Sequence, residues 1–378
     1  MAVFAGLWLF ERSRGPAAAI APEDLPVLFE TAEPGRGRLA EAPPQIPGKG
    51  WRDVLWRTLL EVFRDRLPAT AAGVTFFALL AIFPALGAFV SLYGLFADIN
   101  TVSQQLSQLA AFVPAEVLSL LAQQMVRLAT ARPDALSFAF VISLLFSLWT
   151  ANAGTAALFD GLNVVYSETE KRNFFVRRAL SYAFTVLGVV FVTLTTAILV
   201  AIPLAFEWLG FGGSLLVPLR WLLLPGLAAT AFGVVYRYGP SRQRARWRWV
   251  RPGAAAAAVA WVGVSLLFSF YLNHLAHYDV TYGSLGAMVG FMVWLWLSVM
   301  VVLLGAELNA ELEHQTALDS TTGRPRPLGR RGARMADSVG PSFRAKRRFG
   351  GEVAATLRGR MEHRRKDAPP QGEPPRNG

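Results

Sequence analysis

The sequence predicts an all-α protein: a polytopic membrane helix bundle of six transmembrane helices with amphipathic surface helices. Three observations predict it. Hydrophobic residues make up 53% of the 378 residues and charged ones only 17%, with a positive mean hydropathy, a balance that places the chain among membrane proteins. Six segments are apolar for about twenty residues or more, the length a helix needs to cross a bilayer. Lys and Arg crowd into every second loop between those segments and avoid the others, as the retention of basic loops in the cytoplasm requires. Cysteine is absent, which excludes a disulfide framework and thiolate metal sites.

Residues 1–50 read as an N-terminal extension and linker. Its start, MAVFAGLWLF, is too short to span and lacks the basic start and cleavage site of a signal peptide. It is either an interfacial anchor or part of an additional span. A membrane domain follows over 51–314. It begins with WRDVLWRTLLEVFRDRLP, where Val54, Leu55, Leu59, Val62 and Phe63 fall near one face and Arg52, Asp53, Arg57, Arg64 and Asp65 largely on others. That spacing predicts an amphipathic helix on the membrane surface or on neighbouring spans.

The six spans are predicted at 70–96, 136–159, 180–206, 215–236, 253–275 and 283–306. Pro84 should kink the first or hold an irregular turn in it, and Pro225 frees backbone groups in the fourth. Between the first two spans the glutamine-rich pattern predicts two short amphipathic helices broken at Pro114. The loop after the second span carries Lys171, Arg172, Arg177 and Arg178, and the loop after the fourth carries six arginines from Arg237 to Arg251. The loops EWLGFGG and HYDVTY carry none. The alternation predicts both termini in the cytoplasm. Residues 315–378 form a tail with about fifteen Lys and Arg from Arg324 onward against about five acids. Poor in apolar residues, it is predicted to be disordered, or held by charge against anionic lipid headgroups or RNA.

Chemistry is sparse. His274, His277 and Asp279 in NHLAHYD offer either a metal site or interfacial polar groups at the end of a span. The glycines of GFGGS and RFGGE lack the lysine and strand context of a phosphate loop. Neither a catalytic set nor a cofactor is expected. Polar groups within the spans carry more information, because each is expensive in lipid. Thr150, Asn152, Thr155, Asp160 and Asn163 in the second span suit interhelical hydrogen bonds or a solute path. Arg220, between Pro218 and Pro225, either snorkels to the outer interface or offers an anion site.

In the sixth span Gly286 and Gly290 form a GxxxG pair for close packing. At its end Glu307 and Glu311 share a face, with Asn309 and Glu313 turned away. Carboxylates at a helix C-terminus oppose the macrodipole and call for a partner. Arg177, Arg178 or Arg237 are the expected partners; a glutamate pair handling protons or cations is the alternative.

The blocks AAGVTFFALLAIFPALGAFVSLYG, ANAGTAALFDGLNVVYSETEKRNFFVRR, YGPSRQRARWRWVRPGA and, above all, YGSLGAMVGFMVWLWLSVMVVLLGAELNAELE resemble the YihY/BrkB family of bacterial inner-membrane proteins, once labelled ribonuclease BN-like. The resemblance covers 51–314 and leaves out both ends of the chain. It implies a six-span protein of the inner (plasma) membrane with an envelope role, the BrkB name being tied to bacterial serum resistance. It carries over no catalytic residue, only Tyr282, Gly283, Gly305, Glu307, Asn309 and Glu311 as functional positions. The expected function is non-enzymatic: moving, or helping to move, an ion, small solute or lipid. The alternatives are a scaffold that binds membrane-protein partners or further copies of itself, with anionic lipid at the basic tail, and a membrane-bound ribonuclease, which this sequence does not support. No specific nucleic acid is expected as a partner.

Overall fold

The computed structural model describes residues 25–96, 133–208, 216–274 and 286–343. Among them the chain forms eight α-helices and no strand, as the fold class predicted. They are α1 (Leu25–Ala32), α2 (Gly48–Arg64), α3 (Leu67–Phe96), α4 (Pro133–Val165), α5 (Phe174–Trp208), α6 (Leu216–Tyr238), α7 (Trp247–His274) and α8 (Gly286–Glu313). The predicted spans fall on α3 to α8. Four stretches are long and apolar enough to cross a membrane: Phe140–Val165, Phe174–Thr195, Trp247–Leu272 and Met288–Glu313. A fifth results if α2 and the first part of α3, Gly48–Arg64 and Leu67–Ile82, are taken as one span bent by 62°. The apolar stretch of α6, Leu222–Tyr238, is shorter. The described residues therefore supply four or five full spans where the sequence predicted six. The helices expected around Pro114 lie outside the described residues.

The sharp bend comes from the backbone at Arg66, whose φ of 51° is left-handed, a conformation that ends one helix and lets the next start in a new direction. Pro84 and Pro225, by contrast, lie inside continuous helices. The end of α4 uses the same device. Ser167 has a φ of 53°, and the Glu168 amide bonds back to the Asn163 carbonyl at 2.7 Å, a Schellman-type closure.

Helix α3 lies along α4, and α7 packs between α6 and α8. The α7/α8 crossing is set by two glycines. A Cβ on Gly305 would stand 2.6 Å from both the Ala257 Cβ and the Tyr236 hydroxyl, and 2.7 Å from the Gly253 carbonyl. Side chains at this crossing are excluded by contact with backbone. Gly290, predicted as a packing residue, would place its Cβ 3.6 Å from Leu272, an ordinary contact. Gly286 is buried. Large apolar side chains on α4 and α5, among them Leu145, Val189 and Val192, face outward, as surfaces that meet hydrocarbon should.

The core sits at one end of the bundle. Leu67, Phe159, Leu162, Tyr236, Val250, Leu303 and Ala306 are buried there together with Met335, and Val54, Trp249 and Leu312 join Ala40 and Ile46 beside it. Two expectations are corrected at this end. Residues 315–343, predicted as disordered, pack against the helix ends, and so does the linker from residue 33 to 47. The reason is that guanidinium groups do work that apolar side chains would do elsewhere. Arg331, 2% exposed, donates to the carbonyls of Ala317, Leu318, Arg326 and Ala336. Arg38, 1% exposed, joins the carbonyls of Gln315 and Gly340 to the Glu33 carboxylate. Buried backbone must find partners, and these arginines supply them. The remainder of the tail, 344–378, lies outside the described residues.

The face predicted for α2 is also corrected. Val54 is buried, but Leu55, Leu59 and Phe63 are exposed, while Asp53, Arg57 and Thr58 point inward. The helix turns its polar side to the cap formed by residues 33–47 and 315–343, and its apolar side outward, because the cap and the end of α8 contain the ionic partners that Asp53 and Arg57 require.

Candidate functional site

The last two turns of α8 project into the cap, and each polar side chain there meets a different element. Glu311 pairs with the Arg57 Nε of α2. The same guanidinium donates to the Glu311 carbonyl at 3.1 Å, the Gln315 Oε1 at 2.9 Å and the Pro341 carbonyl at 3.1 Å. Glu313 takes a two-pronged ion pair from Arg242 at 2.9 and 2.8 Å, plus the Ser320 hydroxyl at 2.9 Å. The Arg242 guanidinium carbon stands 3.9 Å from the centre of the Tyr166 ring. Burial disfavours the charge on Arg242, but Glu313 and its hydrogen bonds outweigh that and raise its pKa further above the ordinary value. Burial likewise pushes the Tyr166 phenol up. The expected partners Arg177, Arg178 and Arg237 are therefore corrected to Arg57 and Arg242. Those three lie elsewhere: Arg177 holds Asp160 through two bonds of 2.8 Å, Arg178 lies over Phe174 and Arg237 over Trp247.

Asn309 is fully buried and stitches α8 to α7. It accepts from the Gly253 amide at 2.8 Å and donates to the Val250 carbonyl at 2.9 Å, engaging the backbone on either side of Pro252, which has no amide hydrogen to give. Gly305, one turn earlier, allows the approach.

Glu307 is different. It is 1% exposed, and its Oε2 has no hydrogen-bond partner. The charged groups that act on it are all carboxylates: Glu311, Asp65 and Glu61. Asp65 lies at the α2/α3 elbow, where burial, then Glu61 and Glu311, push its carboxyl up to about 6 against the pull of Arg64. A buried carboxylate commonly takes a cation or several donors, and the arginine that reaches this helix end from α2, Arg57, pairs with Glu311. Among the described residues no group of three carboxylates or imidazoles is arranged to hold a metal ion.

Of the other predicted positions, the described ones on α4 do not gather at this point. Asn152 is buried and accepts from the Ser181 hydroxyl of α5 at 2.7 Å, its Nδ2 remaining unpartnered. Asp160 is half exposed beside Arg177. Asn163 accepts from the Ser241 amide at 2.7 Å and donates to Glu170 at 3.3 Å, tying α4 to the loop after α6. Glu170 is desolvated, but the Arg172 side chain and amide hold its carboxyl down at about 2. These residues fasten α4 to α5 and to the cap. Tyr282, Gly283, His277 and Asp279 lie outside the described residues, as does the side chain of Arg220. His274 stacks on Phe270 at the end of α7.

Sequence reasoning missed Asp65 as a neighbour of Glu307, and Arg57, Arg242 and Arg331 as the groups that order the cap. One signal was present: Asp53 and Arg57, four residues apart on α2, share a face with Val54, the apolar residue that is buried.

The comparisons with known proteins agree with this architecture. A family model described as virulence factor BrkB matches residues 58–328. The putative ribonuclease-like protein YfkH of Bacillus subtilis is 30% identical over 257 residues, covering 66% of this chain and 90% of that protein. A UPF0761 membrane protein of Chromohalobacter salexigens is 30% identical over 71% of this chain, and one of Nitrosospira multiformis is 26% identical over 69%. The chain spans 66% and 61% of the lengths of those two relatives. No solved structure matches. The family match runs from the middle of α2, through the glutamate end of α8, into the buried segment that follows it, and the chain belongs to the BrkB family of membrane proteins.

Proposed function

We propose that this is a non-enzymatic, multi-pass protein of the bacterial inner membrane that moves, or helps to move, an ion, small solute or lipid in envelope maintenance. The cap faces the cytoplasm with both termini, in keeping with the basic loops gathered there. The observation that carries the reading is Glu307. Ionisable groups within membrane helices are rare and mark ion paths or proton relays more often than they serve packing. This one is buried at the end of a span, its Oε2 lacks a donor, and it lies near a joint between two helices. Glu307 is the exchangeable proton or cation site of the transport reading.

The test is flux in liposomes containing the purified protein, with proton, alkali-cation, organic-anion and lipid readouts. The expected result is a flux above that of empty vesicles which Glu307→Gln abolishes. Wild-type flux equal to that of empty vesicles for every species overturns the reading. Orientation is tested separately, since a chain without cysteine accepts single-cysteine labels in the cap on a clean background.

A second reading, a scaffold for partner membrane proteins or for further copies of this chain, is favoured by one observation. Asn152 bonds Ser181 and Asp160 pairs with Arg177, while the charged neighbours of Glu307 are Glu311, Asp65 and Glu61, so the three share no partner. It predicts that crosslinked complexes from membranes are lost in Glu311→Gln, with no flux to lose. Recovery of the same complexes from the variant counts against it.

A further inference from the structure

At this end of the molecule arginines are matched with acids: buried Arg36 with Asp53, Arg57 with Glu311 and Arg242 with Glu313, and half-buried Arg172 with Glu170. One side of the molecule does not follow this rule. From Leu216 to His274, through α6, its loop and α7, the sequence contains seven arginines and no aspartate or glutamate. Arg242 is answered by Glu313, and Arg246 donates to the Thr321 carbonyl. Arg237, Arg244, Arg248 and Arg251 have no carboxylate partner among the described residues.

One of these four, Arg251, lines a cleft, and another, Arg237, lies over a tryptophan of its lining. Between α6 and α7 lies a groove of about 400 Å³, with Ala229, Thr230 and Gly233 on one wall and Ala254 and Ala255 on the other; Trp247 and Arg251 stand in its lining. Small side chains make the groove. A Cβ on Gly233 would sit 3.3 Å from the Trp247 ring. Arg237, one helical turn from Gly233, lays its guanidinium carbon 4.7 Å from the centre of that ring, and its Nε is buried without a partner. Arg244 lies over Tyr238 at 5.0 Å. Arg248 and Arg251, one turn apart on α7, are exposed.

An apolar slot between α6 and α7, with Trp247 and Arg251 in its lining and Arg237 over that tryptophan, has the two chemistries of one ligand. We propose that the α6/α7 groove binds an anionic phospholipid, its phosphate held by Arg237 and Arg251 and one acyl chain lying along the Ala229–Gly233 wall. Charge complementarity selects the acidic headgroup: basic side chains at a membrane surface attract anionic lipid, and arginine forks match phosphate oxygens. Tryptophan belongs at this depth because its ring is apolar and its N–H polar. The site is independent of Glu307 and of the transport reading.

The test is native mass spectrometry of the full chain released from mixed micelles, with phosphatidylglycerol, phosphatidylcholine or soluble glycerol phosphate as the probe. One phosphatidylglycerol is expected to remain bound where phosphatidylcholine does not. Arg237→Gln with Arg251→Gln should weaken retention about tenfold or more, each basic group contributing on the order of a factor of five. Ala255→Trp fills the groove from an exposed position without touching charge, and should reduce retention as well. Arg324→Gln with Arg330→Gln, the same charge change in the exposed tail, should leave it unchanged. Equal retention of the two lipids, equal loss in the tail pair, or full retention in Ala255→Trp each overturn the proposal. Glycerol phosphate competing at concentrations similar to the lipid also overturns it, since the groove would then contribute nothing.

Discussion

Replacing Arg57 with leucine should release the end of α8 and the segment behind it. The guanidinium is 4% exposed in its side chain and Glu311 3%, so little water stands ready to replace either. Arg57 joins four acceptors on three pieces of chain: the Glu311 carboxylate and carbonyl, Gln315 and Pro341. Its loss leaves a buried carboxylate with only His314, 3.6 Å away, beside Glu307 and Asp65, and breaking a buried pair from one side costs about 3–5 kcal/mol. Removing the orphaned charge as well, in Arg57→Leu with Glu311→Gln, should recover roughly half, because much of the penalty belongs to the unpaired ion rather than to the lost bonds. Equilibrium unfolding in mixed micelles gives the total. Hydrogen exchange gives the location, which should be residues 315–343 and the first half of α2. A single variant within about 1 kcal/mol of wild type, or a double variant no better than the single, would refute the view that a buried ion pair organises the cap.

Three other outcomes follow from the same geometry. Asp65 binds its proton more tightly folded than unfolded, so stability should fall as pH rises from about 4 to 6 and stay reduced above. Since the group is partly solvated, Asp65→Asn should gain only about 1 kcal/mol near pH 7.5 and almost nothing below about pH 4, as chemical unfolding at the two pH values would register. Gly305→Leu forces a side chain into the α7/α8 crossing and should cost about 3 kcal/mol or more, seen as lost monodisperse protein in detergent, whereas Gly290→Ala should be close to neutral. Arg331→Lys keeps the charge but presents a single ammonium to four carbonyls, so limited proteolysis should begin between residues 317 and 336 while the bundle stays intact.

The helices were legible because a span must be apolar for about twenty residues, and that signal is local. Polar residues on α4 were legible as helix contacts for a related reason, since each is expensive in lipid and must find a partner nearby: Asn152 finds Ser181, Asp160 finds Arg177. The cap was not legible. Arg38 meets Gly340 across 302 residues and Arg57 meets Glu311 across 254, and nothing in a window of sequence shows such a pairing. Arginines such as Arg331 made 315–343 read as too polar to fold, because hydropathy counts a guanidinium as solvent-seeking whether or not four carbonyls await it. The direction of α2 failed for the matching reason: its amphipathic pattern is plain, but which face is buried depends on whether the surroundings are water, lipid or an ionic cap.

Whether the glutamate end of α8 is a fixed anchor or a gate can be argued from which of its carboxylates are occupied. Glu311 and Glu313 are each held by an arginine from a different element, and Asn309 is bonded on both sides. Moving this helix end against the cap would break two buried ion pairs and the Asn309 bridge together, a change of many kcal/mol with no compensating contact in view. The end of α8 is therefore an anchor. Glu307 sits one turn inside it, unpaired, facing the elbow where α2 meets α3 through the left-handed Arg66. If charge enters here, the anchored side must stay still while the elbow responds, because Asp65 and Glu61 are the carboxylates that share the space and neither is fixed to the cap by an arginine of another helix. On that reading the response is confined to the elbow and the start of α3, since Arg57 ties the rest of α2 to Glu311 of α8, which serves as the fixed wall.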